Sequence, residues 1–325
     1  MSIILSTKGL VSMKINVDIF SGFLGAGKTM LIKKLLNEKA YGKNTIIIEN
    51  EFGEVGIDGD ILKDSNIEIK EINSGCICCQ VSGNFGEAVI EVINKYKPNN
   101  IIIEPSGVAK LSEILNILQG TRFQENLEIR NIITLIDIRN YDMYLKNFKE
   151  FYENQIKKAN KIVLSRSQLV DKTKINDTID SLRKLNSRAE IIYKPWESLN
   201  AKDFLIINNV KNKVEIPLTK SENTKALRRE KSHDAKEVFE SYPIEIDKNT
   251  SVQEIQKKFE FIANSEKYGN ILRAKGILMG IDGLYYQFDY VPHEFKSREI
   301  RWSNKKVVSI IGSKLNKKEL LKLFK

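Results

Sequence analysis

The three cysteines of this 325-residue chain lie within four consecutive positions, Cys76-Ile77-Cys78-Cys79. Thiols this crowded, with no cysteine elsewhere, have the make-up of a soft-metal ligand set, because structural cysteines tend to be scattered singly through a core. Zinc favours four ligands in a tetrahedron and takes thiolate sulfur readily. Cys76 and Cys78 fall on one side of an extended segment, and Gly75 permits the turn that brings Cys79 round. Three thiolates leave a fourth position for water, a partner's side chain or a carboxylate, and the run Glu49-Asn50-Glu51-Phe52-Gly53-Glu54 supplies carboxylates. Such an incomplete site exchanges metal more easily than a closed one. Two other readings stay open: a redox pair from the Cys76-X-X-Cys79 spacing, and inert packing in a buried turn. His233 and His293 are isolated in the sequence and read as surface or hydrogen-bonded residues before they read as ligands.

Upstream lies a complete phosphate-binding loop, Gly22-Phe23-Leu24-Gly25-Ala26-Gly27-Lys28-Thr29. Its glycines let the backbone curl so that successive N–H groups face phosphate oxygens, and the helix that follows adds the positive end of its dipole. Gly22, Gly25, Ala26, Gly27, Lys28 and Thr29 are therefore candidate nucleotide contacts. Lys28 serves the β and γ phosphates, and the Thr29 hydroxyl serves a magnesium ion. The chemistry also needs an acid at the end of a neighbouring strand. Ile101-Ile102-Ile103-Glu104-Pro105-Ser106-Gly107 provides Glu104, to stand by magnesium or the attacking water, and the Gly107 amide, to reach the γ-phosphate. Lys28 and Glu104 are the candidate catalytic residues.

These groups need a scaffold, and the chain has the rhythm of one. Short β-branched runs alternate with amphipathic stretches, the pattern of a parallel sheet flanked by helices, an α/β fold. Strands are expected at 15–20, 45–49, 67–72, 100–104, 132–137, 161–164 and 190–193. Helices are expected at 28–38, 85–96, 111–118, 141–158 and 175–185. The segment 208–235 is polar and aperiodic and reads as a linker. Beyond it, Ser251-Val252-Gln253-Glu254 is a capping-box helix start, and Asp282-Gly283 joins two expected strands, 271–281 and 284–291, as a hairpin. A strand at 307–311 and a short helix begun by Asn316 complete a smaller α+β unit. The expected division is an extension at 1–13, a nucleotide-binding domain at 14–207, the linker at 208–235 and a C-terminal domain at 236–325.

With 42% hydrophobic and 29% charged residues, the composition is that of an ordinary globular protein. No run approaches the roughly 20 apolar residues of a membrane helix, and no signal peptide is expected at the start, which points to the cytoplasm, where thiols stay reduced. The net charge of +10 is spread along the chain without a basic run interleaved with aromatics, so no specific nucleic-acid partner is expected.

Taken together, the residues resemble those of the CobW-like P-loop GTPases, relatives of the HypB and UreG metallochaperones. The likeness is carried by Gly22 to Thr29, Glu49-Asn-Glu-Phe-Gly-Glu-Val-Gly-Ile-Asp58, Gly75-Cys-Ile-Cys-Cys79 and Glu104-Pro-Ser-Gly107. It continues through Gln155 to Leu164 and, in the C-terminal part, Leu272-Arg-Ala-Lys-Gly276 and Ile311-Gly312. The twelve residues before Met13 match nothing in the family, which makes Met13 a candidate start. The resemblance implies a SIMIBI-class P-loop domain followed by a CobW-type C-terminal domain. It also implies GTP as substrate with magnesium, and a transition metal, zinc first, held or delivered to a client metalloprotein. By position it makes Cys76, Cys78 and Cys79 the metal cysteines, with Glu49 and Glu54 as secondary carboxylates and Asp58 in a switch segment. The client, the physiological metal and any homo-oligomer are not legible.

One departure concerns the base. Where the family carries Asn-Lys-X-Asp, this chain has Ser165-Arg166-Ser167-Gln168. An aspartate accepts two charge-assisted bonds from guanine, whereas Gln168 has one acceptor oxygen and an amide that opposes the 2-amino donor. Arg166 is expected to stack its guanidinium on the base. Ser165, Arg166 and Gln168 are thus candidate base contacts with a weakened guanine preference that admits ATP. A nucleotide-switched metallochaperone is the leading expectation. A regulatory or scaffolding protein with little turnover is the second, and a thiol oxidoreductase the third.

Overall fold

The computed structural model describes residues 14–49, 68–71, 81–205 and 234–325, with 68–71 and 81–84 described by backbone alone. The first unit runs β1 (Ile15–Gly22), α1 (Lys28–Asn37), β2 (Thr45–Glu49), β3 (Glu68–Glu71), α2 (Val81–Tyr96), β4 (Asn100–Glu104), α3 (Leu111–Leu118) and β5 (Leu127–Asp137). It continues with α4 (Tyr141–Asn147), α5 (Lys149–Lys158), β6 (Lys161–Ser165), α6 (Lys172–Leu185), β7 (Glu190–Ile192) and α7 (Ala201–Phe204). All its described strands are parallel, in the order β3-β2-β4-β1-β5-β6-β7.

The isoleucine runs explain why this sheet is covered on both sides. Ile46, Ile48, Ile101 and Ile103 face a core with Phe85, Val89 and Val92 of α2 and Leu111, Ile114 and Leu115 of α3. Ile47 and Ile102 face the opposite core with Leu31, Ile32 and Leu35 of α1. Consecutive apolar residues on a strand thus serve alternate faces, as a doubly covered parallel sheet requires.

Apart from α2 and α6 starting earlier than expected, at Val81 and Lys172, two expectations change in this unit. β5 begins at Leu127 rather than 132 because its polar residues have a buried partner: Asp18, 1% exposed, accepts bonds from Arg130 (3.0 Å) and Asn131 (2.8 Å). The single helix expected over 141–158 is two helices, parted at Phe148 with φ −130° and ψ 33°. That backbone aims Phe148 into an aromatic cluster with Phe23 (5.5 Å between ring centroids) and Phe239 (5.2 Å), so tertiary packing overrides helical continuity.

The second unit comprises α8 (Ala235–Val238), β8 (Glu240–Glu245), α9 (Val252–Ala263), β9 (Asn270–Met279), β10 (Tyr285–Val291), β11 (Glu294–Ile300), β12 (Val307–Ser313) and α10 (Lys317–Phe324). Its five strands form an antiparallel sheet ordered β11-β10-β9-β12-β8. Ser251 accepts from the Glu254 amide, which is one half of the expected capping box, and Asn316 accepts from the Glu319 amide. One face of this sheet packs Ile244, Phe288, Tyr290 and Ile310 against Phe259 of α9 and Phe324 of α10. Arg273, Asp289, Lys296 and Arg298 of this sheet line a cleft shared with the first unit, and Leu272 and Ile311 join the first unit's core. Neither β8 nor β11 was expected from the sequence pattern.

Candidate nucleotide-binding site

β1 delivers the phosphate-binding loop between the strand and α1, with Gly27 as the helix N-cap in a left-handed conformation. At Gly25, φ is +70°, and an added Cβ would stand 2.2 Å from Cγ1 of Val291. Glycine is required there twice over, by backbone conformation and by the C-terminal sheet that presses on the loop.

Lys28 is 6% exposed, and its ammonium folds over the loop, donating to the carbonyl oxygens of Gly22 (3.1 Å) and Phe23 (3.4 Å). The Thr29 hydroxyl donates to the Glu104 carboxylate at 2.9 and 3.1 Å. This contact arises because β4 lies beside β1 and ends at Glu104. Strand register also sets Glu49 opposite Glu104 and opposite Glu71, so three acidic positions align across the ends of β4, β2 and β3.

Gly107 approaches the loop backbone so closely that an added Cβ would meet the Leu24 nitrogen at 2.7 Å. Its carbonyl is held by Gln155, whose Nε2 donates at 3.0 Å to both Gly107 and Ala109. Gln155 is fully buried on α5. It begins one of the matched stretches of sequence, but its function as a clamp could not be read there, since its partners are more than forty positions away.

On the base side, Ser165 is buried and donates to the Ile136 carbonyl at 3.3 Å. Arg166 has φ +60° and reaches back across the loop. Its Nη1 donates to Gly25 O (3.1 Å) and lies 3.2 Å from Asp137, while Nε donates to Glu294 of β11 at 2.7 Å. Its Nε and Nη1 groups are therefore engaged by the C-terminal sheet and the loop. Gln168 is exposed in a 3-10 turn, Ser167–Leu169. Arg139 also joins Asp137 (2.9 Å) to Glu294 (3.1 Å), which completes a four-residue ionic cluster between the two units. Burial acts to raise the Glu294 carboxyl, yet the bonds from Arg166 and Lys296 outweigh it and hold it down at about 2.

A cleft of about 440 Å³ opens beside these residues, lined by Gly27, Lys28, Thr29, Glu104 and Arg166 on one side and by β9, β10 and β11 on the other. Cys76, Cys78, Cys79, Glu54, Asp58 and His233 lie outside the described residues. Among the described residues, no group of three His, Cys, Asp or Glu is close enough to hold a metal ion, and no helix is long and apolar enough to cross a membrane. His293 is exposed with φ +70° in the turn between β10 and β11, and among the described residues no metal-ligating cluster surrounds it.

The family model described as CobW/HypB/UreG, nucleotide-binding domain, matches residues 16–193, more than half of the chain. The zinc chaperone CobW of a Sinorhizobium species is 28% identical over 261 residues, covering 72% of this chain and 73% of its own. The zinc chaperone YjiA of Escherichia coli K12 is 26% identical over 275 residues, covering 83% of each. The crystal structure of the Zn(II)-bound YjiA GTPase from E. coli aligns over 96% of this chain and 98% of its own at 22% identity, with a TM-score of 0.46.

Proposed function

This chain belongs to the CobW/HypB/UreG family of nucleotide-binding proteins, and on that premise we propose that it is a GTP-hydrolysing metallochaperone coupling nucleotide state to zinc. The observation that carries the nucleotide half is the Thr29–Glu104 contact beside Lys28, with Gly107 held against the same loop. The zinc half is supported by the naming of both relatives as zinc chaperones and by the three clustered cysteines.

In this reading Lys28 leaves its two loop carbonyls for the β and γ phosphates, and the amides at the start of α1 enclose phosphate oxygens. Gly107 donates its N–H toward the γ-phosphate, with Gln155 fixing its position. Glu104 orients the attacking water from the end of β4. The hydroxyl of Thr29 and the carboxylate of Glu104 form a hard oxygen donor set suited to magnesium. When bound there, magnesium neutralises charge developing on the phosphates.

In sequence Cys76, Cys78 and Cys79 fall between the end of β3 at Glu71 and the start of α2 at Val81, which supports a metal site within reach of that sheet edge. Cys76, Cys78 and Cys79, with Glu49 or Glu54, are the proposed ligands of zinc, which is cargo for a client metalloprotein. A specific observation favours relaxed base choice: Gln168 replaces the acidic base reader and is solvent-exposed, so ATP is an accepted alternative substrate.

The test is binding and hydrolysis of GTP by the wild type and by Lys28→Ala. Tight, magnesium-dependent binding that Lys28→Ala abolishes supports the reading. A wild type that binds neither GTP nor ATP overturns it.

A further inference from the structure

The phosphate-binding motifs account for only one wall of the cleft. The other wall is the charged face of the antiparallel sheet, where Glu294, Lys296 and Arg298 stand at alternate positions of β11 and so share a face. Register sets Lys296 opposite Asp289 and Arg298 opposite Gln287 on β10. Six cationic side chains line the cleft, three from each unit, against the three carboxylates Glu104, Asp289 and Glu294. The lining as a whole favours a polyanion.

The three cations of the second wall are not equivalent. Arg273 is held in a two-point bond by Asp289 at 3.2 and 2.8 Å, and Lys296 pairs with Glu294 at 2.5 Å. Arg298 instead donates from both Nε (3.1 Å) and Nη2 (2.7 Å) to the neutral side-chain oxygen of Gln287. Among the described residues, its charge has no carboxylate partner. The wall that carries it touches the loop where Val291 meets Gly25 and is tied through Glu294 to Arg166, which itself donates to Gly25.

We propose that the C-terminal sheet is the second half of the nucleotide site, with Arg298 supplying a positive charge to the polyphosphate of the nucleotide held by the P-loop of the same chain. This rests on the reading of that loop as a nucleotide site. An arginine so placed favours a triphosphate over a diphosphate, because the extra phosphate carries additional charge to pair with. The sheet thereby registers which nucleotide is bound.

The experiment measures the affinities of the full chain for a non-hydrolysable GTP analogue and for GDP, with magnesium, in the wild type, Arg298→Gln and Arg298→Lys. Arg298 is exposed on the edge strand, so both variants are expected to melt with the wild type. The expected result is a loss of roughly tenfold in analogue affinity for Arg298→Gln, a smaller loss for GDP, and partial recovery in Arg298→Lys. Analogue and GDP affinities in Arg298→Gln equal to wild type, in a wild type whose binding is abolished by Lys28→Ala, overturn the proposal and leave the P-loop reading standing. A wild type that binds neither nucleotide overturns both.

Discussion

Glu294, the first residue of β11, accepts a 2.7 Å hydrogen bond from Nε of Arg166, the residue that also donates to the P-loop carbonyl of Gly25. One arginine therefore joins the base-side turn, the phosphate loop and the C-terminal sheet. Arg139 and Asp137 brace the same junction. The two units meet through these charged groups at the cleft and through a shared hydrophobic core in which Phe239, Leu272 and Ile311 join Phe23 and Phe148.

The Glu294 carboxyl is held at about 2, below its ordinary value of 4.5. A depressed carboxylate means that the unfolded chain binds more protons in that interval, so stability rises with pH there. The contribution is complete above about pH 4.5 and is lost as pH falls through about 2. Glu294→Gln should lower stability at neutral pH by about 1 to 2 kcal/mol, allowing for partial exposure of the pair. It should also flatten the decline in melting temperature between those two pH values. Some decline persists, because Glu319 is held at about 2 by Lys267 and Lys322. Thermal melts at neutral pH and across that acid range check both points.

Gln168 is exposed in its turn, so changing it disturbs no packing. Gln168→Asp restores a charged double acceptor for guanine and should raise the preference for GTP over ATP by about tenfold. Competition binding with the two nucleotides measures the ratio. An unchanged ratio would mean that the base is read elsewhere.

The phosphate loop and Glu104 were legible because their chemistry is local: glycines spaced for a tight curl, then an acid closing a run of isoleucines. The second wall of the cleft was not. β11 reads Glu294-Phe-Lys-Ser-Arg-Glu-Ile300, an edge strand with one face toward a charged cleft, and so lacks the apolar alternation that marks a strand. The Arg166–Glu294 bond spans 128 positions, which no local pattern encodes. Phe148 was read as helical for the same reason, since its aromatic partners Phe23 and Phe239 are distant in sequence. The cysteine cluster was conspicuous as a count, and its proposed role as a metal site is supported by thiolate chemistry and by the zinc-chaperone relatives.

Gln155 holds the carbonyls of Gly107 and Ala109 from a fully buried position. Gln155→Leu leaves those acceptors without their donor and should cost about 1 to 3 kcal/mol. Loosening Gly107 beside Leu24 should also slow GTP hydrolysis more than it weakens GTP binding, because the segment's proposed contact is with the γ-phosphate. Melting temperature, turnover and nucleotide affinity, measured together, separate the two effects.

In a nucleotide-switched zinc chaperone the cysteine site and the nucleotide site are coupled. Linkage makes such coupling reciprocal, and a working switch needs roughly 1 to 3 kcal/mol of it. The most direct measurement is the zinc affinity of the full chain, once saturated with a non-hydrolysable GTP analogue and once with GDP, with Cys78→Ser as the control for the thiolate site. Coupling of this size makes the affinities differ by about fivefold or more between the two nucleotides, with the difference lost in Cys78→Ser. Equal zinc affinities in the two nucleotide states would contradict it.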